Sequence, residues 1–347
     1  MFLLVAVVIG SISKSALASI MSGCVGCEPG YYRWIVEVFE NNDSARDLLR
    51  NHGVLPSVVT CPRCDNPCKL SGGKDWRCTS SHVLPKTKKR RLCGFRVSDN
   101  KGTFLDNAHL PPWKIVLFIN HWVSKLWDHK TVIDNLGIST RTSVDWRSFC
   151  SEVTDHWLEN QDSIGGDGIF VEIDETLLVK RKYERGRGLA QIWVFGGIER
   201  VTKKKFVVPL VGAVGERRDA ATLMPLILKY IRPGSIIVSD QWGAYNRVKD
   251  HGYTHYTINH SENFVDPEDC EVHTQNVERL WRDLKEWVKR PGIKSNFLQQ
   301  YLARYLFVKA HGDQSFHQFL LFAAKLYPHG GELQRRIPVP IQEDSDE

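Results

Sequence analysis

Apolar and polar positions alternate through the first half of FVEIDETLLVKRKYERGR, Phe170 to Arg187, before a dense basic turn takes over. A period of two predicts a strand over Ile169 to Thr176, with Glu172 and Asp174 on one face and Val171 and Ile173 on the other. Further apolar runs predict strands at Ala190 to Ile198 and Phe206 to Val214, a helix over about Ala220 to Ile231, and a strand in SIIVSD ending at Asp240. A helix from Gln241, a short strand at Thr254 to Ile258, a polar loop and a helix from Gln275 to about Lys289 follow.

Hairpin-linked strands followed by helix-linked strands describe a mixed sheet flanked by helices, the element order of a ribonuclease-H-like α/β domain, here spanning residues 168–328. Upstream, PPWKIVLFINHWVSKLW reads as an apolar helix opened by proline. HKTVIDNLGI and STRTSVDWRSFCSEVTDHWL read as two helices joined at Gly137. Ser139 or Thr140 serves as cap, and Trp146, Phe149, Cys150, Val153 and Trp157 lie along one face. Residues 111–160 therefore form a helix-turn-helix-like segment, with Arg141, Thr142 and Arg147 toward nucleic acid. QDSIGGDG reads as the linker to the next domain.

Charge adds a partner class. Lys and Arg outnumber Asp and Glu by 46 to 40, and the tail at 329–347, expected to be disordered, is acidic, so the body is more basic than the total of +6. That balance favours an anionic partner. The opening MFLLVAVVIG, with SALAS behind it, has the apolar core of a secretory signal without a basic residue ahead of it. It is shorter than the roughly 20 residues a membrane span needs, so no membrane partner is expected. Residues 1–42 are read as an N-terminal segment of uncertain role, a gene-model extension or a buried segment.

Seven of the nine cysteines crowd between Cys24 and Cys93, which reads as metal binding in a reducing compartment. CPRC presents Cys61 and Cys64 at the spacing one tetrahedral zinc accepts, and Cys78 and Cys93 complete four ligands. Fourteen residues separate that second pair, so Cys68 and His82 stand as alternative ligands. Residues 43–110 are expected to form a zinc-ribbon-like module. KTKKRR, inside the widened loop, suits phosphate contact, nuclear import or a solvated loop.

Carboxylates inside a β-rich run are costly unless neutralised. One reading is an edge strand with a solvated acidic face; the other is a metal site. A ribonuclease-H-like site needs one acid mid-strand on the first strand, one at the end of the fourth and one on a late helix. Asp174, Asp240 and Glu278 occupy those places. Two Mg²⁺ (or Mn²⁺) ions about 3.5–4 Å apart suit phosphodiester cleavage, with Asp174 bridging and Asp240 and Glu278 each on one ion. Glu172 and Glu175 are expected to form structural salt bridges. Lys180, Arg181, Lys182, Arg185 and Arg187 are candidate contacts to the DNA backbone, as are Arg282 and Lys285, at i+4 and i+7 from Glu278. Trp281 and Trp287 are expected in the core, and His260 and His273 as bystanders.

VEIDET, KRKYERGR, WVFGGIER, IIVSDQWGAY, INHSENFVDP and HTQNVERLWRDLK resemble the transposases of Merlin-type DNA transposons and related bacterial insertion-sequence transposases. DLLRNHGVLPSVVTCPRC and RLCGFRVSDNKGTF extend the resemblance to about Asp43 through Pro328. It implies a DDE triad on Asp174, Asp240 and Glu278 and cut-and-paste transposition at terminal inverted repeats. It also implies double-stranded DNA as partner, a homo-oligomer on that DNA and work in the nucleus. The widened cysteine loop departs from the pattern. Two rival readings are a host-recruited, catalytically silent DNA-binding protein and a nuclease or resolvase on the same fold.

Overall fold

The computed structural model describes residues 33–83, 88–124, 128–179, 192–211, 217–258, 272–288 and 297–329. The expectations for the basic turn at 180–187, for His260, for Cys24 and Cys27 and for both chain ends fall outside these residues. Two compact units emerge: residues up to Ser143 together with those from Phe316 on, and Val144–Ser315. Among the described residues no helix is long and apolar enough to cross a membrane.

The first unit begins with α1 (Arg33–Val38) and α2 (Asn42–Asn51). The Asn41 side chain accepts the N–H groups of Asp43 and Ser44 at 3.1 and 3.0 Å, capping α2. Five short strands follow: β1 (Lys69–Ser71), β2 (Asp75–Arg77), β3 (Ser81–Val83), β4 (Arg90–Leu92) and β5 (Arg96–Ser98). β1, β2 and β5 form one antiparallel sheet, and β3 and β4 form a separate hairpin. Buried Asp99 accepts from Trp76 Nε1 at 2.8 Å and from Arg46 and Arg50 at 3.1 and 2.6 Å, tying α2 to this sheet.

α3 (Pro112–Val123) starts on proline as expected and is buried through most of its turns. α4 (His129–Leu136) ends at Gly137, whose φ of 53° is the left-handed cap that glycine tolerates. The Ser139 hydroxyl accepts the Thr142 N–H at 3.0 Å and opens α5 (Thr140–Glu159). Trp146, Cys150, Val153 and Trp157 are buried as the periodicity predicts, but Phe149 is exposed, turned edge-on to Trp146.

In the second unit β6 (Ile164–Gly165) leads into β7 (Phe170–Val179), β8 (Ile192–Glu199) and β9 (Lys205–Pro209). Then come α6 (Ala220–Tyr230), β10 (Ile231–Arg232), β11 (Ile236–Asp240), β12 (Thr254–Ile258), α7 (Gln275–Val288) and α8 (Leu298–His311). The chain then enters α9 (Ser315–Leu326), most of which belongs to the first unit. Where a helix was expected from Gln241, two short 3-10 turns stand instead, Gly243–Tyr245 and Val248–His251. Gly252, with φ 82°, ends the second turn in the left-handed conformation that glycine tolerates.

The main sheet runs β12-β11-β7-β8-β9. β7, β8 and β9 are antiparallel neighbours, β11 is parallel to β7, and β12 is parallel to β11. β7 is therefore the central strand, which overturns the edge-strand reading. One face packs Val171, Ile173, Phe195, Leu223, Ile227, Ile237 and Tyr245 into a single core. The other face carries Glu172 and Asp174 and receives α7.

Candidate metal and active sites

The four cysteines Cys61, Cys64, Cys78 and Cys93 bring their sulfurs within 4.8 Å of one another, the one such ligand cluster among the described residues. Cys61 Sγ to Cys93 Sγ and Cys64 Sγ to Cys78 Sγ are each 3.5 Å. Thiolates about 2.3 Å from a tetrahedral zinc stand roughly 3.8 Å apart, so the set fits that ion. The widened loop closes because it is a hairpin: β3 and β4 pair Ser81 with Leu92 and Val83 with Arg90. Its base is tied by Cys93 N–H to Ser80 O at 2.8 Å, while Cys78 N–H reaches Phe95 O at 2.9 Å. Asn66 backbone and side-chain N–H groups hold the Cys64 thiol down at about 6, favouring the thiolate a metal needs. Cys68 lies outside the cluster, buried against it, and burial pushes its thiol up. His82 is on β3, with its side chain outside the described set.

Asp174 sits mid-β7 and Asp240 ends β11. The ladder pairs Ile236 with Phe170 and ends with Val238 opposite Glu172; Asp240 and Asp174 each lie two residues past that last pair, on its face by strand alternation. Burial raises both the Glu175 carboxyl and the Tyr245 hydroxyl, and the charges of Asp174 and Asp240 add to each. Glu278 lies exposed in the first turn of α7. One turn later Trp281, buried as expected, donates Nε1–H to Asp174 Oδ2 at 2.8 Å. The helix bearing Glu278 is thus bonded to the strand bearing Asp174. Among the described residues these three carboxylates do not form a ligand group as close as that of the four cysteines.

Glu172 has the expected ion pair, Arg200 Nε at 2.7 Å, and also accepts the N–H groups of Asn276 and Val277 at 2.7 and 3.1 Å. A buried carboxylate at these orphan donors fixes the start of α7. His273 sits beside it, Nδ1 3.4 Å from Glu172 Oε1. Glu175 points to the opposite face and takes a hydrogen bond from the Tyr245 hydroxyl where an ion pair was expected. Burial pushes its carboxyl up to about 7, and the Asp174 and Asp240 charges add to that.

Arg282 and Lys285 are exposed on the Glu278 side of α7. Arg141 is exposed at the start of α5, whereas Arg147 lies over the rings of Phe297 and Tyr301 at 5.0 and 5.4 Å. Asp283, on the same helix, is held by Lys309 Nζ at 2.5 Å and the Tyr305 hydroxyl at 3.3 Å. Sequence reasoning missed Gly196, which faces Asp174 across the β7–β8 ladder. A Cβ there would lie 2.6 Å from the Trp281 ring, so glycine makes room for the indole. The GG pair inside a strand was the available signal.

Two comparisons bear on this site. Residues 161–308, which contain Asp174, Asp240 and Glu278, match the family model described as an ISXO2-like transposase domain. An uncharacterized transposase-like protein of Haemophilus influenzae is 26% identical over 85 residues, covering 24% of this chain and 67% of that relative. The unit that carries the three acids is thus similar to a transposase domain, and both comparisons support a transposase family for the chain.

Proposed function

We propose that the chain is a DDE transposase of the Merlin type, cutting DNA at terminal inverted repeats and joining the freed end to a target. The observation that carries this is the placement of Asp174 and Asp240 on parallel neighbouring strands, with Asp174 bonded by Trp281 from the helix of Glu278. The strand order, three antiparallel strands with the fourth parallel to the first and the fifth beyond it, supports a ribonuclease-H-like reading. When bound, two Mg²⁺ or Mn²⁺ ions activate water and stabilise the leaving oxyanion. Asp174 would serve both ions, and Asp240 and Glu278 would hold one each. Hydrolysis breaks the P–O3′ bond at the transposon end and leaves a 3′-hydroxyl and a 5′-phosphate; the 3′-hydroxyl oxygen then attacks a target phosphate and displaces the target strand's own 3′-oxygen, which leaves as a hydroxyl. Arg282 and Lys285 bind phosphates of the cut strand, and Lys180, Arg181, Lys182, Arg185, Arg187 and Arg141 grip the duplex. A structural zinc on the four cysteines, a homo-oligomer on DNA and a nuclear location complete the reading.

The test uses a duplex ending in the inverted repeat that brackets the gene. Asp174→Asn, Asp240→Asn and Glu278→Gln should each cut cleavage by orders of magnitude and leave DNA binding intact. Robust cleavage by Glu278→Gln would move the third ligand to Glu271 or Asp283. Equal loss of binding and cleavage would make the acids supports of the fold. Wild-type binding without cleavage in Mg²⁺ or Mn²⁺ would favour a catalytically silent DNA-binding protein.

A further inference from the structure

Trp242 is the one tryptophan among the described residues that is exposed, 44% open to solvent, and it stands two residues beyond Asp240. An exposed indole is usually free to swing. This one is tethered: its backbone N–H reaches Asp240 Oδ1 at 3.2 Å and its Nε1–H reaches Arg218 O at 2.9 Å. The Arg218 guanidinium lies 3.8 Å from the centroid of Trp193 and 5.3 Å from that of Trp242, a cation layered between two indoles. Trp193 is half-buried against the core, so the stack is anchored from below. Gly243 follows, and a Cβ there would meet nothing within 4 Å, leaving open space beside the ring. The polar edge of Trp242 is satisfied by the protein and a flat apolar surface is left toward solvent. Arg218 is also close enough to the acids for its charge to act on Glu175.

Flat, fixed and next to a carboxylate proposed to hold a metal ion at the scissile phosphate, this surface matches the face of a nucleobase. Inside a duplex both faces of a base are already covered by its neighbours. The occupant must therefore be unpaired, at a frayed end, a nick or a flipped position. We propose, resting on the transposase reading, that Trp242 is a stacking platform for an unpaired base beside the cleaved phosphate, with Arg218 as the positioning residue that fixes its plane.

The probe is a short duplex of arbitrary sequence with a single-stranded 3′ extension, 2-aminopurine at the first unpaired position, and Ca²⁺ in place of Mg²⁺. Binding by the wild-type chain should quench the 2-aminopurine. Affinity should exceed that for the same probe with an abasic site there by roughly five- to a hundredfold. Trp242→Ala should remove the quench and that preference together while leaving affinity for blunt duplex unchanged. Trp242→Phe should keep part of both, and Arg218→Lys, which retains charge and loses the planar layer, should reduce the quench. If Trp242→Ala does not fold, the wild-type comparison of intact and abasic probes, with Trp242→Phe beside it, decides the matter. Equal wild-type affinity for intact and abasic probes overturns the platform, as does a Trp242→Ala defect of the same size on blunt and extended DNA. Failure of the wild-type chain to bind any of the probes overturns the transposase reading with it.

Discussion

Around the four cysteines the apolar core is small, essentially Val59, Trp76 and the sulfurs themselves with Phe95 and Val97 at the margin. Beneath the strands carrying Asp174 and Asp240 lie Val171, Ile173, Phe195, Leu223, Ile227 and Ile237 in one continuous core. The difference separates the two metal sites proposed for the chain. In the cysteine module the ion is expected to replace the missing core, because four sulfurs this close repel as thiolates unless a cation sits among them. In the proposed acidic site the sheet exists for its own reasons, and Asp174 and Asp240 stand on it, with Glu278 on α7, before any ion arrives.

The largest effect should come from chelation. Removing zinc should unfold residues 55–105, since structural zinc supplies on the order of 10 kcal/mol of folding free energy, while Val144–Ser315 keeps its hydrogen-exchange protection. Protein purified without zinc and indifferent to chelator would dissolve the contrast between the two sites. Next is Gly196→Ala, which presses a methyl into the Trp281 ring and the Phe206 carbonyl oxygen. Overpacking should cost about 1–3 kcal/mol in thermal denaturation. Cleavage should fall further than stability, because Trp281 loses its seat against Asp174.

A smaller effect concerns acid. Burial, aided by the Lys249 charge, holds His255 down at about 4 from its usual 6.5, with Ser239 Oγ 2.8 Å from its Nε2. A depressed histidine stabilises the folded state fully above the unfolded pKa. Unfolded chain takes up the proton first, so the His255 contribution to stability should decline as pH falls from about 6.5 toward 4, while the raised carboxyls of Glu175 and Asp155 act in the opposite sense. His255→Gln should flatten that decline by on the order of 1 kcal/mol after solvent screening. Urea titrations across the window, with and without the substitution, provide the check. Smallest is Cys68→Ser: outside the sulfur cluster, it should cost about 1 kcal/mol and leave zinc stoichiometry unchanged. Loss of zinc in that variant would place Cys68 among the ligands.

Local pattern reached the sheet well. β12 falls on the expected Thr254–Ile258, β11 ends at Asp240, and α7 starts at Gln275. Period-two alternation and apolar runs are read over a few residues, and these elements obey them. What escaped was long-range. Glu172 caps a helix 104 residues away, and nothing in VEIDET distinguishes that carboxylate from one facing solvent. The hairpin that closes the cysteines hid in a basic loop, because β3 and β4 are each three residues long and their described side chains are exposed, giving no hydrophobic alternation to read. Asp174, Asp240 and Glu278 fall on the strands and helix expected of them, whereas Trp281 as the donor to Asp174 required knowing that α7 lies over Gly196.

The return of the chain into its first unit at α9 carries a consequence for biosynthesis. Phe104 meets Phe319 and Tyr327 at ring distances of 6.0 and 5.6 Å, and His52 Nε2 lies 3.1 Å from His317 Nδ1. Those partners leave the ribosome only after the whole of Val144–Ser315 has been made. The sheet-bearing unit can thus complete its own core on the nascent chain, whereas the N-terminal helices must wait, partly uncovered, for the final stretch. Truncation before Phe316 would strand the earlier-made unit in that waiting state and expose it to chaperones and proteases, even with every residue of the acidic site present.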